Sequence, residues 1–306
     1  MKIAVIGMGG VGGYFGGKLA QLKKLEDDLE IFFIARNEHL QAIKENGLVL
    51  DSDEGKYICK PDLATDDFSE LPKIDLYLLC VKSFDLHEVL SKIKTKISNQ
   101  TMILPLLNGI DIYERIRSVI SNGIVFPSCV YVGTHIEKPG FVKQRGGSCT
   151  IHFGEDPRND FINPRLFDLF KKSNIKYKFS DNPYLEIWGK FMFIASFGLI
   201  AASYNKSIGE ILESEVLSHQ VKNIMNEIYL IATQMKIGLS ESVVEESFNK
   251  GKNFSYDTKT SFQRDYENKN KPDERDLFGV TILRLGQKYG IKMETTEMIF
   301  NSIQKH

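Results

Sequence analysis

The feature that most restricts this chain stands at its start. Lys2–Ile6 is a short apolar run that passes directly into Gly7-Met8-Gly9-Gly10-Val11-Gly12, a G-x-G-x-x-G, and then into a helix-like stretch ending near Leu22. Strand, glycine turn and helix in that order open a dinucleotide-binding βαβ unit. Each glycine answers a different steric demand. Gly7 permits the tight turn, Gly9 carries no Cβ and lets a pyrophosphate approach the backbone, and Gly12 lets the helix pack close to the strand. The helix N-terminus adds unsatisfied N–H groups and the positive end of its dipole. Gly7, Met8, Gly9, Gly10, Val11 and Gly12 are therefore the expected cofactor contacts.

The same alternation continues. Strands are expected at Leu29–Ala35, Asp75–Val81, Thr101–Leu107 and Ile124–Val132, with helices at Glu38–Asn46, Asp85–Ile97 and Asp111–Ile120. Leu48–Cys59 reads as a small hairpin, Phe141–Arg145 and Cys149–Phe153 as a closing pair of strands, and Asn163–Ser173 as a helix. Continuous apolar strands between helices imply a parallel sheet covered on both faces. From Tyr184 helical periodicity takes over, at Tyr184–Ser203, Ser218–Met235, Ser240–Gly251 and Asp276–Tyr289. The change falls at Ser180–Pro183, a run of loop residues. The expected fold class is α/β, a Rossmann-type parallel sheet domain over 1–180 and an all-α domain over 181–306.

Composition narrows the partners. Lys and Arg number 39 against 40 Asp and Glu, for a net charge of −1, which argues against a nucleic-acid binder or a polybasic membrane anchor. The four cysteines form no C-x-x-C and the six histidines no H-E-x-x-H, so neither a disulfide scaffold nor a metal centre is expected. The start of the chain lacks a convincing signal-peptide cleavage site. The apolar run Phe191–Ala202 falls short of the roughly 20 residues of a bilayer span. A cytoplasmic protein is the expectation.

Later strand ends supply the remaining candidates, because ligands bind outside the carboxyl edge of such sheets. After the second strand comes Ala35-Arg36-Asn37, with no acid for a ribose 2′-hydroxyl. Arg36 instead suits a 2′-phosphate, which favours NADP(H). The alternative is a solvated arginine with Glu38 as the ribose ligand. Lys82 and Asn108 stand at two further strand ends, positioned for cofactor or substrate, or else as a surface lysine and a turn-capping asparagine. In the second half, Ile187-Trp188-Gly189-Lys190-Phe191-Met192-Phe193-Ile194 sets one lysine in an apolar helix. An ammonium so placed can polarise a carbonyl and donate a proton; the plainer reading packs its stem on Trp188. Ser261 and Asp273 lie in a polar stretch, Tyr256 to Arg275, that reads as a connector or binding loop.

Taken in order, the G-x-G-x-x-G, the V-K-S at Lys82, the N-G at Asn108, the W-x-K at Lys190 and the late S-F-x-x-D (Ser261, Phe262, Asp265) resemble the ketopantoate reductase family over essentially the whole chain. The resemblance implies a Rossmann domain followed by a helical domain with the active site in the cleft between them. It implies NADPH-dependent reduction of 2-dehydropantoate to pantoate, on the route to pantothenate and coenzyme A. Lys190 would be the proton donor, Ser261 the ligand of the substrate carboxylate, and Asp273 the acid contacting substrate and cofactor, with Glu274 its neighbour. Lys82 and Asn108 match cofactor-side and active-site positions, so Asn108 would face both cofactor and substrate. The expected partners are a small 2-oxo acid and, for the helical half, a second copy in a homodimer.

The chain departs from the family pattern at four positions. Asparagines usual one and two turns after the lysine are Ile194 and Gly198, and a third is Ile208, with Asn205 nearby but out of register. The family acid is usually Glu, and Asp273 is one methylene shorter. These changes leave open a reductase of another branched 2-oxo acid, a 3-hydroxy acid or glycerol-3-phosphate dehydrogenase of similar architecture, and a non-catalytic NADP-binding sensor.

Overall fold

The structure, a computed structural model, describes every residue except Asp27, Asp160, Ile162, Asn270, Lys271, Lys305 and His306. The chain forms two compact units. Met1–Asn108 and Ile112–Pro183 make the first, Gly109–Asp111 and Tyr184–His306 the second.

The first unit contains strands β1 (Lys2–Ile6), β2 (Glu30–Ile34), β3 (Leu48–Ser52), β4 (Gly55–Cys59), β5 (Leu63–Thr65), β6 (Leu76–Leu79), β7 (Met102–Pro105), β8 (Ile124–Val125), β9 (Ser128–Tyr131), β10 (Thr134–Lys138), β11 (Phe141–Gln144), β12 (Thr150–Phe153) and β13 (Lys176–Phe179). Its helices are α1 (Gly10–Leu22), α2 (Asn37–Asn46), α3 (Ser83–Ile93), α4 (Ile112–Arg117) and α5 (Pro164–Lys172). The main sheet runs β5-β2-β1-β6-β7-β8, parallel throughout. Strand order reverses beside β1, the point at which such sheets open a ligand crevice. The interior strands are apolar on both faces because both faces are covered: β6 and β7 are buried at every residue.

Helix α1 explains its own glycines. Gly16 faces Phe33 of the main sheet, while Gly13 and Gly17 face Val142 and Leu50 of a second sheet, β10-β11-β3-β4. Glycine inside a helix costs about 1 kcal/mol relative to alanine. Here that cost is offset by close packing on two sheets at once.

Two expectations for this unit need correction. Ile124–Val132 is two strands, because Pro127 cannot donate to a ladder; β8 joins the main sheet and β9 a three-stranded sheet, β13-β12-β9. Phe141–Arg145 and Cys149–Phe153 do not pair. β11 pairs with β10 and β3, and β12 with β9 and β13, since Gly146 and Gly147, both at positive φ, redirect the chain between them. Strand β10 (THIEK) is too polar to be legible, and β13 (KYKF) alternates Lys with aromatics over only four residues.

The second unit is helical: α6 (Tyr184–Tyr204), α7 (Ile208–Glu213), α8 (Glu215–Gln234), α9 (Val243–Lys250), α10 (Ser261–Glu267), α11 (Thr281–Tyr289) and α12 (Glu294–Gln304), with a π-helical turn at Asp276–Val280. Helix α6 is the hub, packed by α8, α9, α10 and α12. Surrounded in this way, it is apolar nearly all round. At 21 residues and a mean hydropathy of 1.5 it is long and apolar enough to cross a bilayer, so the apolar run alone underestimated it; 72% of its most apolar window is buried inside the fold. The polar stretch Tyr256–Arg275 is not merely a loop. Thr260 caps α10, and Phe262 is buried; Asn270 and Lys271, also in this stretch, lie outside the described residues. Helix α12 starts on the buried carboxylate of Glu227, which accepts from the N–H groups of Thr295 and Thr296.

Candidate active site

The first unit carries a cavity of about 270 Å³ at the carboxyl edge of the main sheet. Gly7, Met8 and Gly9 form its floor, and Arg36, beyond β2, and Lys82, beyond β6, stand in its wall. Gly7 adopts φ +91° and its N–H donates to the Ile34 carbonyl at 3.0 Å. A Cβ at Gly12 would lie 2.1 Å from the Gly7 carbonyl oxygen, so nothing larger than glycine fits that contact. Gly9 differs: a Cβ there would meet nothing within 4 Å. Glycine at this position leaves open space in front of the backbone rather than relieving a contact inside the fold. Gly9 is the N-cap of α1 and no side chain caps the helix, so the N–H groups of its first turn, those of Gly10, Val11 and Gly12, have no partner within the helix. A negatively charged group fits there by geometry and dipole. These residues therefore suit the pyrophosphate of a dinucleotide.

The cavity also holds residues the sequence reading missed. His39, on the first turn of α2, accepts a hydrogen bond at Nδ1 from the Gly140 N–H at 3.0 Å. That fixes the proton of the neutral ring on Nε2, which is buried with no partner among the described residues. Burial pushes its pKa down, opposed by the nearby Met8 backbone, so the neutral form prevails. Asp66, Asp85, Glu88 and Lys92 complete the charged lining. Arg36 does not stand alone: its guanidinium meets Asp85 at 2.5 Å and 3.5 Å. Burial raises the pKa of Cys80, in the same wall, leaving an unreactive thiol. Asn108 follows β7 and precedes Gly109, at φ +128°; it is half-buried and is not one of the residues lining this cavity.

In the second unit, Lys190 lies half-buried on α6, beside fully buried Trp188 and Phe191. Phe191 stacks on Phe278, and Phe278 meets Phe262 edge-on with centroids 5.2 Å apart. Gly198, two turns beyond Lys190, faces Phe262, whose Cβ would lie 3.5 Å from an added Cβ. An aromatic ring thus packs where an asparagine would stand. Asn205, just past α6 at φ +51°, accepts at Oδ1 from Gln263 Nε2 at 3.3 Å. Gln263 is itself buried, with Oε1 unpartnered among the described residues. Sequence reading missed it, although it lies two residues beyond Ser261.

Ser261 is the first, exposed residue of α10. Asp273 accepts from the Arg275 backbone N–H and from Nε on Oδ1, both at 2.9 Å, and from a terminal guanidinium nitrogen on Oδ2 at 2.7 Å. Burial alone would raise this carboxyl; the Arg275 bonds overcome that and hold it below the ordinary carboxylate range. Arg275 also stacks over Tyr266 at 5.6 Å, so Asp273 is chiefly engaged in a local clasp. Glu274 beside it is 2% exposed. Among the described residues no cluster of His, Cys, Asp and Glu could hold a metal ion.

Two family models match: "Ketopantoate reductase PanE/ApbA" over residues 3–158 and its C-terminal model over 182–306. An uncharacterized oxidoreductase of Bacillus subtilis, YkpB, is 26% identical over 100% of this chain and 99% of its own. A 2-dehydropantoate 2-reductase of Streptococcus pyogenes is 25% identical over 98% of this chain and 95% of its own. The fold is that of a PanE/ApbA family ketopantoate reductase from Ralstonia eutropha JMP134, with TM-score 0.89 and 24% identity over 100% of this chain and 98% of that one. It is also similar to D-mandelate dehydrogenase solved with NADH and anilino(oxo)acetate, with TM-score 0.83 and 26% identity over 100% and 98%.

Proposed function

The chain belongs to the ketopantoate reductase family and is an oxidoreductase, and from that premise we propose that it reduces 2-dehydropantoate to pantoate with NADPH. The observation that carries this reading is a lysine half-buried in the apolar hub helix of the second unit, in a chain whose first unit offers open backbone at Gly9 to a dinucleotide.

When bound, the cofactor supplies the hydride for C2 of the 2-oxo acid. The residues of this chain supply the rest. The N–H groups of α1 donate to pyrophosphate oxygens, and Arg36 and Lys82 face the ribose phosphate end. Asn108 donates toward the nicotinamide ribose or the substrate. Lys190 Nζ donates to the keto oxygen as charge grows there and releases its proton to it, a role often worth several kcal/mol in the transition state. Ser261 Oγ donates to the substrate carboxylate. An acid of the 273–274 pair accepts from a substrate hydroxyl; the Arg275 clasp leaves Asp273 little capacity for that, which favours Glu274. The product would pass toward pantothenate and coenzyme A in the cytoplasm.

A second reading has its own observation. Ile194, Gly198 and the Phe262 ring put apolar surface where polar contacts would hold a hydroxylated substrate. Together with the D-mandelate dehydrogenase likeness, that favours a 2-oxo acid with an apolar branched or aromatic side chain. A panel of 2-oxo acids, followed by loss of reduced-cofactor absorbance, separates the two. Highest kcat/KM on 2-dehydropantoate supports the first reading. A preference of about tenfold or more for an apolar analogue transfers the assignment to the second.

A further inference from the structure

The acids in the nucleotide cavity carry a consequence for cofactor choice. Arg36, Lys82 and Lys92 line it on the basic side, and Asp66, Asp85 and Glu88 on the acidic side. The two sets balance, although a 2′-phosphate brings close to two negative charges of its own. The acids also stand close to the bases. Lys92 pairs with Glu88 at 2.5 Å, and Asp85 spans both terminal nitrogens of Arg36, at 2.5 Å and 3.5 Å. Of that second pair the carboxylate is the fixed member: the Asp85 side chain is 19% exposed, in the first turn of α3, whereas that of Arg36 is 62% exposed.

We propose that Asp85 is a specificity-determining residue of the nucleotide site, which holds the Arg36 guanidinium and so weakens its preference for a phosphorylated ribose. The inference rests on reading this cavity as the nucleotide site. Asp85 takes the edge formed by the two terminal nitrogens of Arg36, so a second anion must compete for that edge or share the guanidinium charge. A 2′-phosphate gains that edge by displacing Asp85, or takes the remaining donors and shares the guanidinium; either way it lies beside the carboxylate, where like charges repel. A ribose hydroxyl meets neither cost. Nothing in this competition touches the pyrophosphate or nicotinamide ends, so the effect is confined to the ratio between the two cofactors. NADH is therefore a usable cofactor alongside NADPH, and the Asp85 carboxylate sets how usable.

The test is direct binding of NADPH and of NADH to the full chain by calorimetric titration, without substrate, for wild type, Asp85→Asn and Asp85→Ser, each checked by thermal melting. Both substitutions are expected to shift the affinity ratio toward NADPH by about tenfold. In an Arg36→Ala background the shift from Asp85→Asn is expected to fall below about threefold, because no guanidinium remains to be released. A ratio that stays unchanged or moves toward NADH in both variants would overturn the proposal, as would an undiminished shift without Arg36. If wild type binds neither nucleotide, the reading of the cavity fails and takes this inference with it. Binding of both nucleotides with an unmoved ratio defeats the inference alone.

Discussion

The two units present their candidate functional residues in opposite ways. In the first, the proposed cradle consists of missing side chains: a Cβ at Gly9 would meet nothing within 4 Å, and Gly12 gives up space that Gly7 occupies. In the second, the proposed proton donor is an added group, one ammonium on a helix otherwise largely committed to packing. A backbone cradle is local and can be read from six consecutive residues. The proposed side-chain site, drawn from α6, α10 and the segment before the π-helical turn, has no local signature. Damage should differ accordingly, with binding lost in the first unit and turnover lost in the second.

The largest effect is expected from Lys190→Ala. Turnover should fall about a thousandfold, while cofactor affinity by titration stays within about twofold. Comparable losses in both would erase the contrast between the units. Next, the same substitution at two glycines should separate folding from binding inside one turn. Gly12→Ala drives a Cβ into the Gly7 carbonyl and is expected to cost about 3 kcal/mol in urea unfolding. Gly9→Ala meets no protein atom, so its stability loss should stay near the roughly 1 kcal/mol of a weaker N-cap, while nucleotide affinity falls about thirtyfold. If Gly9→Ala binds nucleotide normally, the open space there is not the cradle.

The smallest effect concerns Asp273. Its folded pKa is depressed, so its pairing with Arg275 contributes stability at pH above the ordinary carboxylate range and loses it as pH falls through the folded value. Asp273→Asn is expected to cost about 1 kcal/mol at neutral pH, with the gap to wild type closing in acid. A gap that stays constant down to strongly acidic pH would show that the clasp does not depend on charge.

How much of this was legible follows the same division. The order of strands and helices around the glycine turn could be read because each apolar run is short and bounded by turn residues. Strand β10 could not, because its exposed residues carry charge and hide the alternation, and β13 alternates over only four residues. Helix α10 was hidden by the polarity of its surroundings, with Phe262 its one strongly buried apolar residue. The Arg36–Asp85 pair joins residues 49 apart in sequence, and the His39–Gly140 bond residues 101 apart. No pattern of spacing brings such partners together; only the sheet order does. Family motifs singled out Lys190 and Ser261 as candidates, but buried Gln263 and the Asp273 clasp required coordinates.

The central claim is that this chain moves a hydride to the C2 carbon of a 2-oxo acid. The most direct measurement supplies 2-dehydropantoate with NADPH carrying deuterium at the transferable position and examines the product by mass spectrometry and NMR. The account expects pantoate with one deuterium at C2 for each cofactor oxidised. Tight nucleotide binding with no deuterium in any product, from 2-dehydropantoate or from apolar 2-oxo acids, would contradict it.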